Sequence, residues 1–299
     1  MRKSAEIELE TTRKSPNERS YWGSVFYRLR KNKMAMVSIV VLTLIVLSCI
    51  LVPVFSSHDY ITTNTANRQM APSLEYPFGT DDLGRDIFVR FFYAGRISLG
   101  IALIVVFIEC IIGVILGGMA GYYGKIVDAI IMRISEVFMS FPFLMMIITI
   151  VALFGNSLPV LVITMALLFW PSIARIVRGQ ILALREQEYM QACEALGISD
   201  FKRIFKHLFP NVLPYVIVYA TLGMASIILV ETALSFLGLG VAPPTPTWGT
   251  MIQEARNRIV LTQRWWYWVP PGLGIFASVM CFNLIGDGMR DALDPKMKR

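Results

Sequence analysis

The sequence predicts an all-α integral membrane protein with six transmembrane helices and both termini on the cytoplasmic side. Three observations carry that expectation. Hydrophobic residues make up 55% of the 299 positions and charged residues only 16%, with a mean hydropathy of +0.58, values typical of chains that live in a bilayer. Six apolar stretches, each near or above the roughly 17 residues a crossing helix needs, run from Met34 to Phe55, Ile97 to Tyr123, Val137 to Phe154, Leu158 to Ala174, Val212 to Val241 and Trp265 to Ile285. Basic residues are also segregated. With the N-terminus inside, only Arg68, Arg85, Arg90, Arg96, Arg256, Arg258 and Arg264 of the 28 Lys and Arg fall on the outer side, as expected when basic residues near span ends are retained in the cytoplasm. The same segregation explains the net charge of +7 as topology and argues against a nucleic-acid partner.

The elements follow in order. Residues 1–33 form a polar cytoplasmic tail that ends in the run R-L-R-K-N-K, Arg28 to Lys33. That run abuts the first span and suits lipid headgroups or a stop-transfer role. Span one, residues 34–55, is too long for a signal-peptide core and reads as a permanent anchor. Residues 56–96 form an external segment. Turn and cap chemistry at Gly79 to Gly84 precedes an amphipathic stretch in which Ile87, Phe88, Phe91 and Phe92 share a face, so an interfacial helix is expected there. Asp81, Asp82 and Asp86 lack calcium-loop spacing and are expected to cap rather than to bind metal.

Residues 97–289 form a core of five further spans. Gly113, Gly117 and Gly121 recur every four residues in the second, a spacing that lets another helix approach closely. Glu109 in the same span and Glu231 in the fifth are carboxylates at membrane depth; such groups face the protein interior or water and are candidates for a translocation pathway. For Glu231, with Thr232 and Ser235 nearby, an interhelical hydrogen bond is the favoured reading. Pro142, Pro159 and Pro171 are expected to kink spans three and four, and Arg175 and Arg178 to end the fourth at the cytoplasmic surface. Trp248, Trp265, Trp266 and Trp268 fit an aromatic belt at the outer interface. Residues 290–299 form a basic C-terminal tail.

Three classes of chemistry are disfavoured. Cys49, Cys110 and Cys281 lie in spans and Cys193 in a polar stretch, with no C-x-x-C, which argues against structural disulfides and zinc. Gly118 to Ile126 resembles a P-loop, but the spacing to Gly124-Lys125 is one residue too long and Ile126 replaces the needed Ser or Thr. A membrane-embedded hydrolase needs a nucleophile with its base, or metal ligands, and the chain has only His58 and His207 and no H-E-x-x-H.

Residues 184–214 are the polar exception inside the apolar second half. Good helix formers run from Arg185 to Leu196, and Gly197 supplies the left-handed residue that commonly closes a helix. From Phe201, apolar residues at Phe201, Ile204, Phe205 and Leu208 form one stripe of a second helix. Pro210 and Pro214 are expected to end it. The result is a compact helical hairpin on which a soluble partner can push.

This hairpin resembles the E-A-A-x-x-x-G-x9-I-x-L-P loop of permease subunits of bacterial ATP-binding-cassette importers. Gln191-Ala192-Cys193, Gly197 and His207-Leu208-Phe209-Pro210 fall on its spacing; Ala192, Gly197 and Pro210 match, while Gln191, Cys193, His207 and Phe209 depart. Two outer stretches narrow the resemblance to the dipeptide, oligopeptide and nickel permeases: G-T-D-D-L-G-R-D-I-F from Gly79, and S-F-L-G-L-G-V-A-P-P-T-P-T-W-G-T-M-I from Ser235. The resemblance covers most of residues 79–294. It implies the helical permease fold of a multi-pass protein of the bacterial cytoplasmic membrane, with no catalysis on this chain. It implies as partners a second homologous permease, two cytoplasmic ATPase subunits or domains that carry the ATP and Mg, and an extracellular substrate-binding protein. Carried over to the hairpin, it makes Glu188, Tyr189, Gln191, Ala192, Cys193, Glu194, Ala195, Gly197 and Pro210 the ATPase-coupling residues. Nickel or another small solute is the alternative cargo, and a channel or purely structural subunit is the alternative role. The lack of a His, Met or Cys cluster favours peptides over a metal ion.

Overall fold

A computed structural model describes residues 21–293. The expectations for residues 1–20 and for the tail from Lys296 to Arg299 lie outside the described residues. Helix α1 (Tyr21–Lys31) leads into α2 (Lys33–Phe55), followed by α3 (Ile87–Tyr123), α4 (Lys125–Ser140), α5 (Phe143–Phe154) and α6 (Leu158–Arg185). Then come α7 (Glu188–Ala195), a short turn Asp200–Lys202, a π-helical turn Arg203–Leu208 and α8 (Phe209–Phe236). The outer loop carries α9 (Trp248–Gln253) and α10 (Arg258–Gln263), and α11 (Val269–Leu293) closes the described chain.

By length and composition five helices can cross a membrane: α2, α3, α6, the continuous helix Asp200–Phe236 and α11. The sixth crossing is a bent pair, since α4 and α5 meet at 84°. The stretch read as span three, Val137 to Phe154, is therefore broken rather than straight. Phe141 is extended at φ −91° and ψ 141°, as the residue before a proline prefers to be. The 12 residues of α5 cannot cross alone, because at about 1.5 Å per residue they reach roughly 18 Å.

Two further boundaries differ from the sequence reading. The amphipathic stretch at Ile87 is the first part of the 37-residue α3, not a separate interfacial helix. Its pattern misleads because Arg90 is buried: its Nη1 donates to the Tyr60 carbonyl at 2.9 Å and its Nε lies 3.5 Å from Asp81. The fourth span does not end at Arg175 and Arg178 but runs on to Arg185. Arg178 instead pairs with Asp128 of α4, Nη2 to Oδ2 at 2.5 Å.

Helix α3 is the central post, packed along α6. The glycine spacing makes this possible: a Cβ on Gly117 would lie 2.4 Å from the Ala174 carbonyl oxygen, and one on Gly113 would lie 2.0 Å from the Ile173 side chain. Close packing of backbones replaces the hydrophobic drive that lipid removes. Trp248 is fully buried, not part of a belt. Its indole donates to the Phe91 carbonyl at 3.0 Å and its ring fills the space left by Gly95 and Gly274. Trp265 is 54% exposed at the outer end, where a belt residue belongs.

Candidate functional site: the hairpin at the basic end

The hairpin 184–214 lies at the end of the bundle that the basic residues assign to the cytoplasm. Helix α7 closes with both bonds of a Schellman motif, Gly197 N–H to Glu194 C=O at 2.9 Å and Ile198 N–H to Cys193 C=O at 3.0 Å. Gly197 has φ +68°, and a Cβ there would meet nothing within 4 Å. The glycine is required by backbone conformation, and the space outside it is open.

One face of α7 is fixed and the other is free. Met190 and Cys193 are buried and face inward; Met190 packs with Ile173, Val177, Ile181, Leu208, Val212 and Val216. Glu188, Tyr189, Gln191, Ala192, Glu194, Ala195 and Gly197 are exposed. Of the expected coupling residues, the structure therefore gathers seven on one outward surface and turns Cys193 into the core. Pro210 is exposed but does not end a helix: it occupies the first turn of α8, where a missing N–H costs least. Pro214 is buried inside the same helix. The wider π turn immediately before them gives Pro210 room, and Asn211 Nδ2 donates to the His207 carbonyl at 2.6 Å.

That π turn also redirects the apolar stripe. Ile204 and Leu208 face inward as expected, but Phe201 and Phe205 are 70% and 56% exposed with ring centroids 4.5 Å apart. With Leu196, 79% exposed, they extend the outward surface. The 3.6-residue period put all four residues on one stripe, whereas the structure divides them between an inward and an outward face.

Polar ties hold the hairpin to its neighbours. Tyr122 O–H donates to Asp200 at 2.9 Å, Arg203 Nη2 donates to the same carboxylate at 2.5 Å, and Arg185 Nη1 donates to the Tyr122 carbonyl at 2.8 Å. The first ties the hairpin to the lower end of α3, the second lies within the hairpin, and the third joins the end of α6 to α3.

The two intramembrane carboxylates lie elsewhere. Glu231 is fully buried near the outer end, accepting from Ser235 Oγ at 2.7 Å and from Ser98 Oγ at 3.5 Å. Ser98 Oγ in turn accepts the Trp248 N–H at 3.1 Å. The network joins α3, α8 and α9. Glu109 is buried against α8, with its Oε1 3.3 Å from where a Cβ of Gly223 would lie, and its Oε2 has no partner among the described residues.

Fold and site define a multi-pass helical membrane protein with a two-faced hairpin at the end that its basic residues assign to the cytoplasm. Residues 113–299 match the family described as the inner membrane component of binding-protein-dependent transport systems, and residues 20–72 match the N-terminal transmembrane domain of oligopeptide transport permease C. The chain is 43% identical to the dipeptide transport system permease protein DppC of Alkalihalophilus pseudofirmus, over 93% of this chain and 91% of that one. It is 40% identical to the oligopeptide transport system permease protein OppC of Bacillus subtilis, over 94% and 91%. To the glutathione transport system permease protein GsiD of Escherichia coli it is 37% identical, over 94% and 92%. The chain belongs to the inner-membrane permeases of binding-protein-dependent ATP-binding-cassette transport systems. It is a non-catalytic, multi-pass membrane component that works with a binding protein and an ATPase.

Proposed function

We propose that this chain is the permease of an ATP-driven di- or oligopeptide importer. It forms half of the translocation pathway with a second, homologous permease. It couples through residues 185–210 to two cytoplasmic ATPase subunits or domains that bind the ATP and Mg, while an extracellular binding protein delivers the cargo. The observation that carries the coupling role is the two-faced hairpin. Met190, Cys193, Ile204 and Leu208 lock one face into the cytoplasmic core, and Tyr189, Leu196, Phe201 and Phe205 leave the other free. A push on the free face is transmitted to α6 and α8 together, because both pack under α7. Such coupling requires that the ATPase contact this face with different energy in the inward- and outward-open packings, since a partner that binds both equally shifts nothing.

The peptide assignment is supported by the names of the relatives, which transport dipeptides, oligopeptides and glutathione. The test of coupling is Gly197→Trp in the assembled transporter. Transport and substrate-stimulated ATP hydrolysis are expected to fall together by about tenfold or more, as for a disrupted interface hot spot. Unchanged rates in a complex of normal stoichiometry would remove the hairpin from the coupling path. Purification in mild detergent with quantified subunits tests the second permease and the pair of ATPases.

A further inference from the structure

Helix α1 carries an outward face that neither the hairpin nor the core uses. Val25 and Leu29, four residues apart, point inward and pack on Val218, Met289, Ala292 and Leu293. The opposite side presents Phe26, 64% exposed, and Tyr27, with Arg30 and Lys31 also exposed beside them. Lys31 Nζ lies 4.6 Å from the Tyr27 ring centre, so this cation is already held against an aromatic surface.

The depth of this face follows from its neighbours. Asn32 interrupts the helix, its Oδ1 accepts the Ala35 N–H at 3.1 Å, and α2 begins at Lys33 as a 23-residue apolar span. Gly288 of α11 lets the junction pack closely, since a Cβ there would lie 2.5 Å from Ala35 and 3.4 Å from Leu29. Lys31 to Phe26 lie two to seven residues before Lys33, within about 3–11 Å of the start of the apolar span at roughly 1.5 Å per residue, a reach that begins inside the headgroup layer of about 5–8 Å per leaflet. A rigid face that presents two aromatic rings and several cations at headgroup depth has the makeup of an interfacial lipid contact.

We propose that the outward face of α1, with Lys33 at the mouth of α2, is a docking surface for anionic phospholipid headgroups of the cytoplasmic leaflet. Phe26 and Tyr27 insert among the glycerol and upper acyl groups while Arg30, Lys31 and Lys33 pair with phosphates. The charge of the face fixes its occupant as an acidic rather than a zwitterionic lipid. Each basic side chain near such a surface strengthens partition about fivefold.

The test uses the full transporter in nanodiscs with photoactivatable analogues of phosphatidylglycerol and phosphatidylcholine, followed by peptide mapping. Labelling of residues 23–33 by the glycerol analogue is expected to exceed that by the choline analogue about tenfold and to fall as salt is raised. In the variant Arg30→Gln/Lys31→Gln/Lys33→Gln the preference should disappear, and in Arg30→Lys/Lys31→Arg/Lys33→Arg it should remain. Equal labelling of the wild-type segment by both analogues at low salt overturns the proposal. That measurement needs no variant to fold.

Discussion

The two ends of the molecule are built on opposite plans. At the outer end, residues 56–86 and 237–268 are tied down by buried polar groups. Asp81 Oδ1 accepts the N–H groups of Leu83 at 2.9 Å and Arg85 at 3.0 Å, and its Oδ2 accepts Arg85 Nε at 2.6 Å. Asp82, whose side chain is 48% exposed, is the outer end's wetter tie: its Oδ1 accepts Gln69 Nε2 at 2.6 Å and Tyr267 O–H at 3.2 Å, which links the first outer loop to the last. Asp86 caps α3 through the Phe88 N–H at 2.8 Å and holds His58 Nδ1 at 2.8 Å. At the inner end the ties are fewer and partly wet: Asp200 is 51% exposed and Glu194 74% exposed at their pairings with Arg203. Buried charge networks fix one arrangement, whereas exposed pairs contribute little and yield easily. The outer end is the more firmly tied, and the inner end, where the proposed coupling hairpin lies, is held by a light tether.

The strongest way to break this comparison is at Asp81. Asp81→Ala removes the partner of Arg85 and leaves Arg90, 6% exposed, without its carboxylate. Uncompensated buried charge costs about 3–5 kcal/mol, so the variant should be largely lost from the membrane fraction. Normal levels with an unchanged melting temperature would show that the outer end is not held this way.

Glu231 sharpens the same contrast with a smaller effect. Glu231→Gln keeps an acceptor for Ser235 and is expected to assemble while lowering transport. Glu231→Leu strands Ser98 and Ser235 in a buried site and should cost about 1–3 kcal/mol per lost partner. Thermal melting of the two purified variants separates the outcomes, and equal melting points would exclude a role in joining α3, α8 and α9.

What the residues alone made legible differs between the two ends for physical reasons. The number of crossings, the orientation and the location of the hairpin follow from hydropathy and charge, which act locally. Gly197 was readable because only backbone conformation, not a neighbour, demands it. Trp248 was misplaced in a belt, and the surroundings of Arg90 and Phe201 were not legible, because each is decided by tertiary contact. Trp248 goes to a cavity made by Gly95 and Gly274, Arg90 to a carboxylate nine residues earlier, and Phe201 is turned outward by a π turn that a fixed period cannot anticipate. The break at Pro142 lies between these cases. Its residue type announced a bend, but not the 84° between α4 and α5.

Glu254 gives the outer end a pH dependence near neutrality. Burial, and then the charge of Asp81, lift its carboxyl from the ordinary 4.5 to about 7, against the opposing pull of Arg90 and Arg85. Below 4.5 the carboxyl is protonated whether the outer end is folded or not, so there is no contribution. Between 4.5 and about 7 the unfolded chain has released the proton that the folded outer end still holds, so stability falls as pH rises, and the loss is complete above about 7. Melting temperature should therefore decline from pH 5 to 8. Glu254→Gln should flatten the decline, and a slope that survives the substitution would assign it to another group.

The smallest effect belongs to the tether. Tyr122→Phe removes one hydrogen bond to an Asp200 carboxylate that is already half in water and still paired with Arg203. A bond to such a group contributes about 0.5–1 kcal/mol, so membrane levels and melting should barely change. If the hairpin is a lever, loosening it should act on transmission rather than on folding. Basal ATP hydrolysis by the complex should then stay level while the ratio of transport to hydrolysis falls about twofold, roughly the factor that 0.5 kcal/mol between two packings allows. A melting point lowered by several degrees at an unchanged ratio would place Tyr122 with the ties of the outer end, as a structural group, and the contrast between the two ends would lose its inner half.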